Sequence, residues 1–586
     1  MILKIMKKMK KQLLLVLLAL MPMMVSAEVV EIGGLWYNLI SKAKVAELTS
    51  SSSGSAAYSG DIIIPESVIY NNVEYRVVAI VSAFSNCTNL ISVSIPKSVT
   101  DIGINAFSGC TGLTSITIPN SVTTIGSSAF QGCTGLTSVT IPNSVTTIGP
   151  YAFSDCTGLT TITIPNSVTT IGTSAFSRCS SLTFITIPNS VTTIGDSAFS
   201  GCTGLSSITI PNNVTNIDNF TFYRCSSLSS IIIPNSVTNI GKEAFRYCSN
   251  LSSLSIPNNV ITIDSYAFSE CSSLTSINIP NSVTSIGYSA FRGCSGLNSV
   301  TIGDGVTIIY NQAFYNCSNL TSVCFSNSII SICSGAFTGC NNLNSVYINS
   351  ISSWCNNIFV DYDANPLYFA HHLFVNGEEV TDLIIPNDVT TINNYSFCGC
   401  SYLNSVTIAN SVTNIGYGAF TNCENIADVY SYAEAVPTTQ NDAFGGSYIQ
   451  YATLHVPADL IGAFRSTAPW NTILNIVPIE GEIPKVNKCA TPTIEYSNGN
   501  VICNCETDGV KYIYQIAPVT VQRESESGRF SFAPTYEIKV YAKREGYKDS
   551  DTASLIVSLT NVGDVNGDGQ VSIADVTSLV NAILGK

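Results

Sequence analysis

Histidine is almost absent from this 586-residue chain, which contains three: His371, His372 and His455. Most nucleophilic and acid–base mechanisms place a histidine beside the reacting group. The sequence also lacks the G-x-S-x-G, H-E-x-x-H and phosphate-binding-loop motifs of common enzyme classes. These absences predict a protein that is not an enzyme, although glycoside hydrolysis stays open because it needs only two carboxylic acids.

Charged residues are also scarce, at 11% of the chain, and acids outnumber bases to give a net charge of −14. Nucleic acids and anionic membrane surfaces attract basic proteins. The charge balance therefore argues against nucleic acid as a partner and against electrostatic docking on a membrane.

Long apolar runs are missing beyond the N-terminus. Five lysines precede an apolar stretch over residues 13–25, which ends in the small-residue sequence Val25-Ser26-Ala27. This order is typical of a secretory signal peptide, predicted here over residues 1–27. The stretch is short and contains Pro22, so no transmembrane segment is expected in the mature chain. The sequence predicts a secreted protein that is extracellular or associated with the cell surface.

What the sequence has in abundance is a 23-residue repeat. Residues 118–140 read IPNSVTTIGSSAFQGCTGLTSVT, and residues 141–163 read IPNSVTTIGPYAFSDCTGLTTIT. Twelve cysteines from Cys87 to Cys340 recur at this interval without a slip of register. A fixed period of this size predicts a solenoid, in which each repeat forms one coil and buries its apolar face against its neighbours.

The apolar positions within one repeat predict which side chains face inward. Residues 113–118 have the L-x-x-L-x-L spacing of a leucine-rich repeat. Strand alternation predicts that Ile116 and Ile118 point inward, while Ser115 and Thr117 point outward. Gly126 is predicted at a bend, where glycine relieves backbone restriction. The rest of the coil is predicted to supply these interior residues: Val122, Ile125, Ala129, Phe130 and Cys133.

The cysteine column has two interpretations. Stacked thiols could lie within disulfide range of the next coil, or they could be small buried apolar side chains. A bond between neighbours would join the coils in pairs and break their equivalence. The odd total of 21 cysteines also leaves at least one unpaired in a monomer. The second interpretation is therefore favoured.

Breaks in the repeat and changes of composition predict the domain organisation. Residues 28–76 contain a predicted hairpin that turns at Asn71-Asn72, and residues 489–559 show short alternating runs with Asn-Gly and Asp-Gly turns that predict a β-sandwich. The predicted segments are, in order, a signal peptide (1–27), an N-terminal β cap (28–76), a repeat solenoid (77–349), an aromatic-rich insertion (350–380), further repeats with a C-terminal capping coil (381–479), a linker (480–488), a small β-sandwich (489–559) and a C-terminal module (560–586).

The repeat I-P-N-S-V-T-T-I-G-x-x-A-F-x-x-C-x-x-L resembles the BspA-like leucine-rich repeats of bacterial surface and secreted proteins, over roughly residues 60–480. The insertion, with Trp354 and Asn365-Pro366-Leu367, is similar to an element of that family. The resemblance implies a leucine-rich-repeat solenoid with a parallel β ladder. Relatives include adhesins for host matrix proteins and other bacteria, so it also implies adhesion. Residues 489–559 resemble the immunoglobulin-like module of bacterial extracellular proteins.

The C-terminal module holds a motif with a specific chemistry. Residues 564–575 fit the EF-hand calcium loop, which places hard oxygen ligands at fixed positions around a turn that Gly569 allows. Asp at the closing position resembles dockerin modules, which bind cohesin receptors on scaffolds. Dockerins carry two such loops and this chain has one, so calcium binding follows from the motif and scaffold docking is left open. The predicted calcium ligands are Asp564, Asn566, Asp568, Gln570 through its backbone carbonyl, Ser572 through a water molecule, and Asp575.

Two sets of residues are predicted to contact an extracellular ligand. The first is a ladder of outward hydroxyl groups: Ser115, Thr117, Ser138, Thr140, Thr161 and Thr163. Its alternative is that serine and threonine are favourable on any solvent-facing strand. The second is the aromatic group of the insertion: Trp354, Tyr362 and Tyr368. Its alternative is that these rings fill the gap where the solenoid is interrupted.

These features together predict a non-catalytic recognition or adhesion protein that binds extracellular protein or glycan partners through its solenoid. The alternative is a component of an extracellular assembly, recruited to a scaffold receptor through the calcium module. Deletion of the repeats distinguishes the two, because only the first hypothesis places recognition on them.

Overall fold

The structure, a computed structural model, describes residues 27–51, 58–479, 491–497, 500–505, 511–518, 535–543 and 552–558. The predicted signal peptide apart from Ala27, the linker at 480–488 and the calcium module at 560–586 lie outside these residues. Within the described ranges, no helix has both the length and the apolar character needed to cross a membrane.

An N-terminal sheet begins the solenoid. The strands Ala27–Ile32, Leu35–Ile40 and Val45–Thr49 pair antiparallel in that order, and the third pairs in parallel with Val73–Ile80. Val73–Ile80 then pairs with the first strand of the repeats, so the cap and the solenoid share one sheet.

The predicted hairpin is confirmed within this cap. Ser67–Tyr70 pairs antiparallel with Val73–Ile80. Asn71 and Asn72 both have positive φ in the turn between them, a conformation that asparagine adopts more readily than most residues.

Each repeat forms one coil with two short strands, where the sequence predicted one. The first strand lies at the position of Thr124–Ile125 and the second at the position of Ser138–Thr140. Strands at the same position in successive coils pair in parallel and in register, so Thr124 pairs with Thr147 and Ser138 pairs with Thr161. The two resulting stacks are called the first ladder and the second ladder.

The first ladder consists of two-residue strands, and its pairing is interrupted between Thr193–Ile194 and Asn216–Ile217 and again at the insertion. Its members are Asp101–Ile102, Thr124–Ile125, Thr147–Ile148, Thr170–Ile171, Thr193–Ile194, Asn216–Ile217, Asn239–Ile240, Thr262–Ile263, Ser285–Ile286, Ile308–Ile309, Ser331–Ile332, Ile358–Phe359, Thr391–Ile392, Asn414–Ile415 and Thr438–Thr439.

The second ladder consists of longer strands on another side of the coil. Its members are Gly60–Ile63, Leu90–Ser94, Ser138–Thr140, Thr161–Thr163, Ser207–Thr209, Ser230–Ile232, Ser276–Ile279, Ser299–Ile302, Ser322–Cys324, Ser345–Ile348, Leu373–Val375, Asp382–Ile384, Ser405–Ile408, Asp428–Ser431, Thr453–Val456 and Asn475–Pro478. Ser115 and Phe184 extend it through isolated bridges to the next coil.

The core between the ladders is a set of identical columns. All the predicted interior residues, from Ile116 to Cys133 in the first full repeat, are buried. Between Phe84 and Phe337 the phenylalanine rings of successive coils stack with centroids 5.2 to 5.7 Å apart and planes within 14° of parallel. A coil therefore completes its core with rings from both neighbours, as the repeat predicted.

The cysteine column is hydrogen-bonded as well as buried. The thiol of Cys202, for example, donates to the carbonyl oxygen of Phe176 in the preceding coil at 3.1 Å, and the thiols from Cys110 to Cys340 follow the same pattern. Ser447 replaces cysteine after Cys423, and its hydroxyl donates to the carbonyl of Phe420. The prediction of a small apolar side chain was incomplete, because the side chain at this position also donates a hydrogen bond to the preceding coil.

Gly126 was predicted at a bend because glycine relieves backbone restriction, and this physical reason was wrong. Its φ is not in the left-handed region, and a Cβ there would lie 2.8 Å from the carbonyl carbon of Gly103 in the preceding coil. Close approach of two coils therefore selects glycine at this position. The left-handed residues of the coil are instead Ser128 and Gly132, on either side of the buried Ala-Phe pair.

The insertion replaces one stretch of repeat with helical turns. It contains the α-helices Ile351–Cys355 and Leu367–Ala370, the 3-10 helix Tyr362–Ala364, and the antiparallel strands Leu373–Val375 and Glu378–Glu379. Asn365 is buried, and its side-chain amide donates to the carbonyls of Tyr395 and Ser396 at 2.6 and 2.9 Å. These side-chain bonds connect the insertion to the coil that follows it.

A cap closes the solenoid, and antiparallel strands follow it. The cap contains the 3-10 helices Ile449–Tyr451, Ala458–Leu460 and Trp470–Thr472 and the α-helix Ile461–Ser466, with the Trp470 ring against Phe444 and Phe464. The strands Thr493–Ser497 and Asn500–Asn504 pair with each other, and Thr535–Lys543 pairs with both Lys511–Pro518 and Ala553–Ser558. The immunoglobulin-like sandwich itself stays a prediction.

Candidate functional site

The outward face of the second ladder carries the hydroxyl residues predicted from the sequence. Ser138 and Thr140 lie beside Thr161 and Thr163 in the parallel register, and all four are exposed. Ser115 and Thr117 are exposed in the preceding coil, where Ser115 bridges to Ser138. The predicted geometry is confirmed, while contact of these residues with a ligand stays a prediction.

The hydroxyl groups on this face fall into two kinds. Thr137 and Thr160 donate hydrogen bonds to carbonyls of the preceding coil at 3.4 and 3.1 Å. The hydroxyls of Ser138, Thr140 and Thr161 make no hydrogen bond within the described part of the chain. The second kind is therefore available to a partner, in columns one strand spacing apart.

The same face becomes aromatic towards the C-terminal end. Tyr347 stacks on Phe374 with centroids 4.7 Å apart, in the column that holds Thr140 and Thr163 earlier in the chain. Tyr430 stacks on His455 at 4.3 Å. The composition of this face thus changes along the solenoid axis while its backbone stays regular.

The insertion does not present its aromatic residues as a single group. Trp354 is 2% exposed, packs against Phe325 and Phe359, and donates from Nε1 to the carbonyl of Ser396 at 2.7 Å. A surface ligand cannot reach this ring, so the prediction that Trp354 contacts a ligand was wrong, because the ring fills the gap in the solenoid.

The two tyrosines of the insertion remain candidates for ligand contact. Tyr362 is 49% exposed and meets Tyr368, which is half-buried, with centroids 4.9 Å apart. Exposed rings in mutual contact suit binding to an apolar surface. Ligand contact by this pair stays a prediction.

The titratable groups with raised pKa values include buried thiols and a carboxyl pair in the insertion. Burial raises the pKa of the Cys202 thiol to about 12, which keeps it protonated and weakly nucleophilic. Burial also raises the pKa of Asp361, which lies beside Asp363. The two carboxyl groups accept hydrogen bonds from the backbone of Ala364 and from Thr338, so they hold the insertion in place.

The sequence did not predict a surface on the turn that contains the left-handed residues. This surface, called the turn edge, comprises the positions equivalent to 126–132 in each coil. From residue 220 to residue 315 this edge is rich in aromatic and arginine side chains, at positions where serine and glycine are common in other coils. The tyrosine–arginine ribbon consists of Tyr223, Arg224, Arg246, Tyr247, Tyr266, Tyr288, Arg292 and Tyr315.

The side chains of the ribbon contact one another from coil to coil. Arg224 lies over the rings of Tyr223 and Tyr247 at 5.3 and 5.4 Å, and Arg246 lies over Tyr247 and Tyr266 at 4.8 Å each. These distances are those of cation–π contacts. The first half of the ribbon is therefore held together without a gap.

The second half continues through a hydrogen-bonded glutamine. Tyr266 meets Tyr288 at 5.3 Å, and the Tyr288 hydroxyl and Arg292 both donate to Oε1 of Gln312, at 3.1 and 3.2 Å. Arg292 also lies over Tyr315 at 4.8 Å. A comparison of the variable positions among the repeats would have revealed this surface.

A polar groove of about 600 Å³ lies at the end of the second-ladder strands near residues 278–349. Gly303 and Asp304 line it, in a Gly-Asp-Gly sequence that replaces the Pro-Asn-Ser of most other repeats. Its side-chain amides and carboxylate suit a hydroxylated ligand. The polar residues lining it include Asn258, Asn278, Asn281, Asp304 and Asn349.

Comparisons with known proteins agree with this architecture. A family profile described as a BspA type leucine rich repeat region, in six copies, matches residues 81–193, 170–297, 261–373 and 367–488. No curated protein sequence matches the chain.

Three solved structures are similar to parts of the chain. A leucine-rich repeat protein from Bacteroides ovatus is 29% identical over 70% of this chain and 99% of that one, with a TM-score of 0.48. A leucine rich cell surface protein from Faecalibacterium prausnitzii is 30% identical over 57% of this chain and 98% of that one, with a TM-score of 0.37. The pneumococcal vaccine antigen PcpA is 16% identical over 78% and 99%, with a TM-score of 0.34.

Proposed function

Because the chain belongs to the BspA-type leucine-rich repeat family, we propose that it is a secreted or cell-surface protein that recognises extracellular protein or glycan partners through its solenoid. The observation that carries this proposal is the in-register stack of exposed side chains along the second ladder, where Ser138 and Thr140 lie beside Thr161 and Thr163. A surface repeated along one axis offers many equivalent contacts to an extended partner.

Two further observations support the extracellular placement. Residues 1–27 have the order of a secretory signal peptide, and one similar solved protein is named as a cell surface protein. The role as an adhesin is the form of recognition that the family resemblance implies.

The experiment that tests the proposal is a pull-down from a mixture of matrix glycoproteins, glycans and bacterial secreted proteins, with calcium present. Residues 28–586 and residues 28–560 serve as the two baits. We expect both to capture the same partner, because the recognition surface lies on the solenoid that both contain.

The alternative function predicts a different outcome of this pull-down. The loop from Asp564 to Asp575 would bind calcium and recruit the chain to a scaffold receptor. A partner captured by residues 28–586 and lost with residues 28–560 would favour this alternative and contradict recognition by the repeats.

A further inference from the structure

We propose that the tyrosine–arginine ribbon binds an extended, uncharged polysaccharide whose sugar rings pack against Tyr288 and against the outward sides of the half-buried tyrosine rings. The proposal rests on the proposed recognition function and names both the surface and the class of ligand. It follows from the fixed geometry of the ribbon, its charge balance and its direction along the solenoid.

The rings of the ribbon are fixed before any ligand arrives. Tyr247 lies between Arg224 and Arg246, and Tyr266 lies between Arg246 and Tyr288. The other four tyrosines of the ribbon are half-buried, while Tyr288 is exposed. A binding surface made of immobilised aromatic side chains loses little side-chain entropy when a ligand binds.

The charges of the ribbon are balanced by acids on the same edge of the solenoid. Arg246 pairs with Glu243 at 2.9 Å, so its charge is already neutralised. Balanced charge gives no attraction to a polyanion and leaves the tyrosine rings as the main contact. Four cations and four acids lie on the turn edge between residues 216 and 294: Arg224, Lys242, Arg246, Arg292, Asp218, Glu243, Asp264 and Glu270.

The shape of the ribbon fits a linear repeating polymer. It crosses five successive coils whose buried phenylalanine rings, from Phe222 to Phe314, are 5.2 to 5.3 Å apart. A sugar ring has an apolar C–H face that stacks on an aromatic ring and a rim of hydroxyls that needs hydrogen-bond partners. Polar side chains such as Asn219 and Asn311 border the ribbon and can meet that rim.

The ribbon is less suited to a folded protein partner. Protein hot spots are also rich in tyrosine and arginine, but they lie in well-packed pockets from which water is excluded. The ribbon contains no aliphatic side chain, and the 600 Å³ groove of the solenoid is lined by none of its residues. A protein partner is therefore an alternative outcome of the test below.

The test uses the mature chain, residues 28–586, and a triple variant that combines Y223S, Y266S and Y288S. The repeats already contain serine at these register positions, in Ser200, Ser197 and Ser127, so the fold accepts it. The matched control is Y151S, because Tyr151 is 43% exposed at the position of Tyr266 in an earlier coil and makes no ring contact within the described residues.

Binding is measured by affinity electrophoresis in soluble β-glucan, xylan, mannan and starch, with polygalacturonate and gelatin as the charged and the protein probes. We expect retardation by at least one uncharged polysaccharide, a loss of at least about tenfold in affinity for the triple variant, and no loss for Y151S. Circular dichroism checks that all three chains keep their folded signal.

Three results would overturn the proposal: equal binding by the triple variant and the wild type, a ribbon-dependent interaction with polygalacturonate or gelatin alone, or no binding of any uncharged polysaccharide. None of them removes the proposed recognition function, which fails only if the pull-down recovers no partner that depends on the repeats.

Discussion

Raising the pH from 9 towards 12 is expected to unfold the repeat array cooperatively. Burial raises the pKa of Cys156, Cys202 and Cys294 from the ordinary value of 9.0 to about 12. Burial also raises the pKa of other thiols in the column: Cys110, Cys133, Cys179, Cys225, Cys248, Cys271 and Cys317.

The sign of the effect follows from proton binding. A thiol whose pKa is raised by folding stabilises the protein fully below the unfolded pKa and loses that contribution as the pH rises towards the folded pKa. Above pH 9 the unfolded chain releases protons that the folded chain retains, so the free energy of unfolding falls by about 1.4 kcal/mol per pH unit for each thiol. Ten such thiols give a fall of roughly 14 kcal/mol per pH unit, which exceeds the stability of most domains.

The measurement is circular dichroism against pH, with the ultraviolet absorbance of thiolate recorded on the same samples. The two signals should change together, because the thiols ionise only when the coils open. A control chain with serine at Cys179, Cys202 and Cys225 should lose stability less steeply, since serine does not ionise and Ser447 already occupies this position. Thiolate formation in a chain that stays folded would contradict burial of the column.

Replacing Trp354 by alanine is expected to lower the free energy of unfolding by roughly 3–5 kcal/mol, as for other buried aromatic residues. The substitution also removes the 2.7 Å hydrogen bond to the carbonyl of Ser396, which is part of the link across the insertion. With that link weakened, residues 77–349 and residues 381–479 should unfold less cooperatively.

Chemical denaturation followed by circular dichroism measures both effects. The matched control is Tyr362→Ala, because Tyr362 lies in the same insertion and is 49% exposed, so its loss should change the free energy of unfolding by no more than about 0.5 kcal/mol. A single unchanged transition for Trp354→Ala would show that the insertion does not connect the two parts of the array.

The repeat made the interior of the solenoid predictable. Because Ile116, Phe130 and Cys133 recur at fixed positions, their burial followed from stacking alone, and so did the outward direction of Ser115. The two-residue strand at Thr124–Ile125 was not predictable from alternation, because it is too short to show a period.

The insertion and the ribbon were harder to predict for different reasons. The insertion has no internal period, so nothing in the sequence distinguishes buried Trp354 from exposed Tyr362. Tyr247 and Tyr266 occupy positions that vary among coils. The repeat pattern is defined by the residues that recur in every coil, so it does not predict a surface made of these two side chains. Both rings contact Arg246, and both residues have left-handed backbone in the turn edge.

Recognition of a partner by the solenoid is tested most directly by hydrogen–deuterium exchange on the mature chain with its captured partner. We expect the backbone amides of peptides from residues 77–479, within the second ladder or the turn edge, to exchange more slowly when the partner is bound. Slower exchange confined to peptides from residues 560–586 would contradict it and would assign recognition to the predicted calcium module.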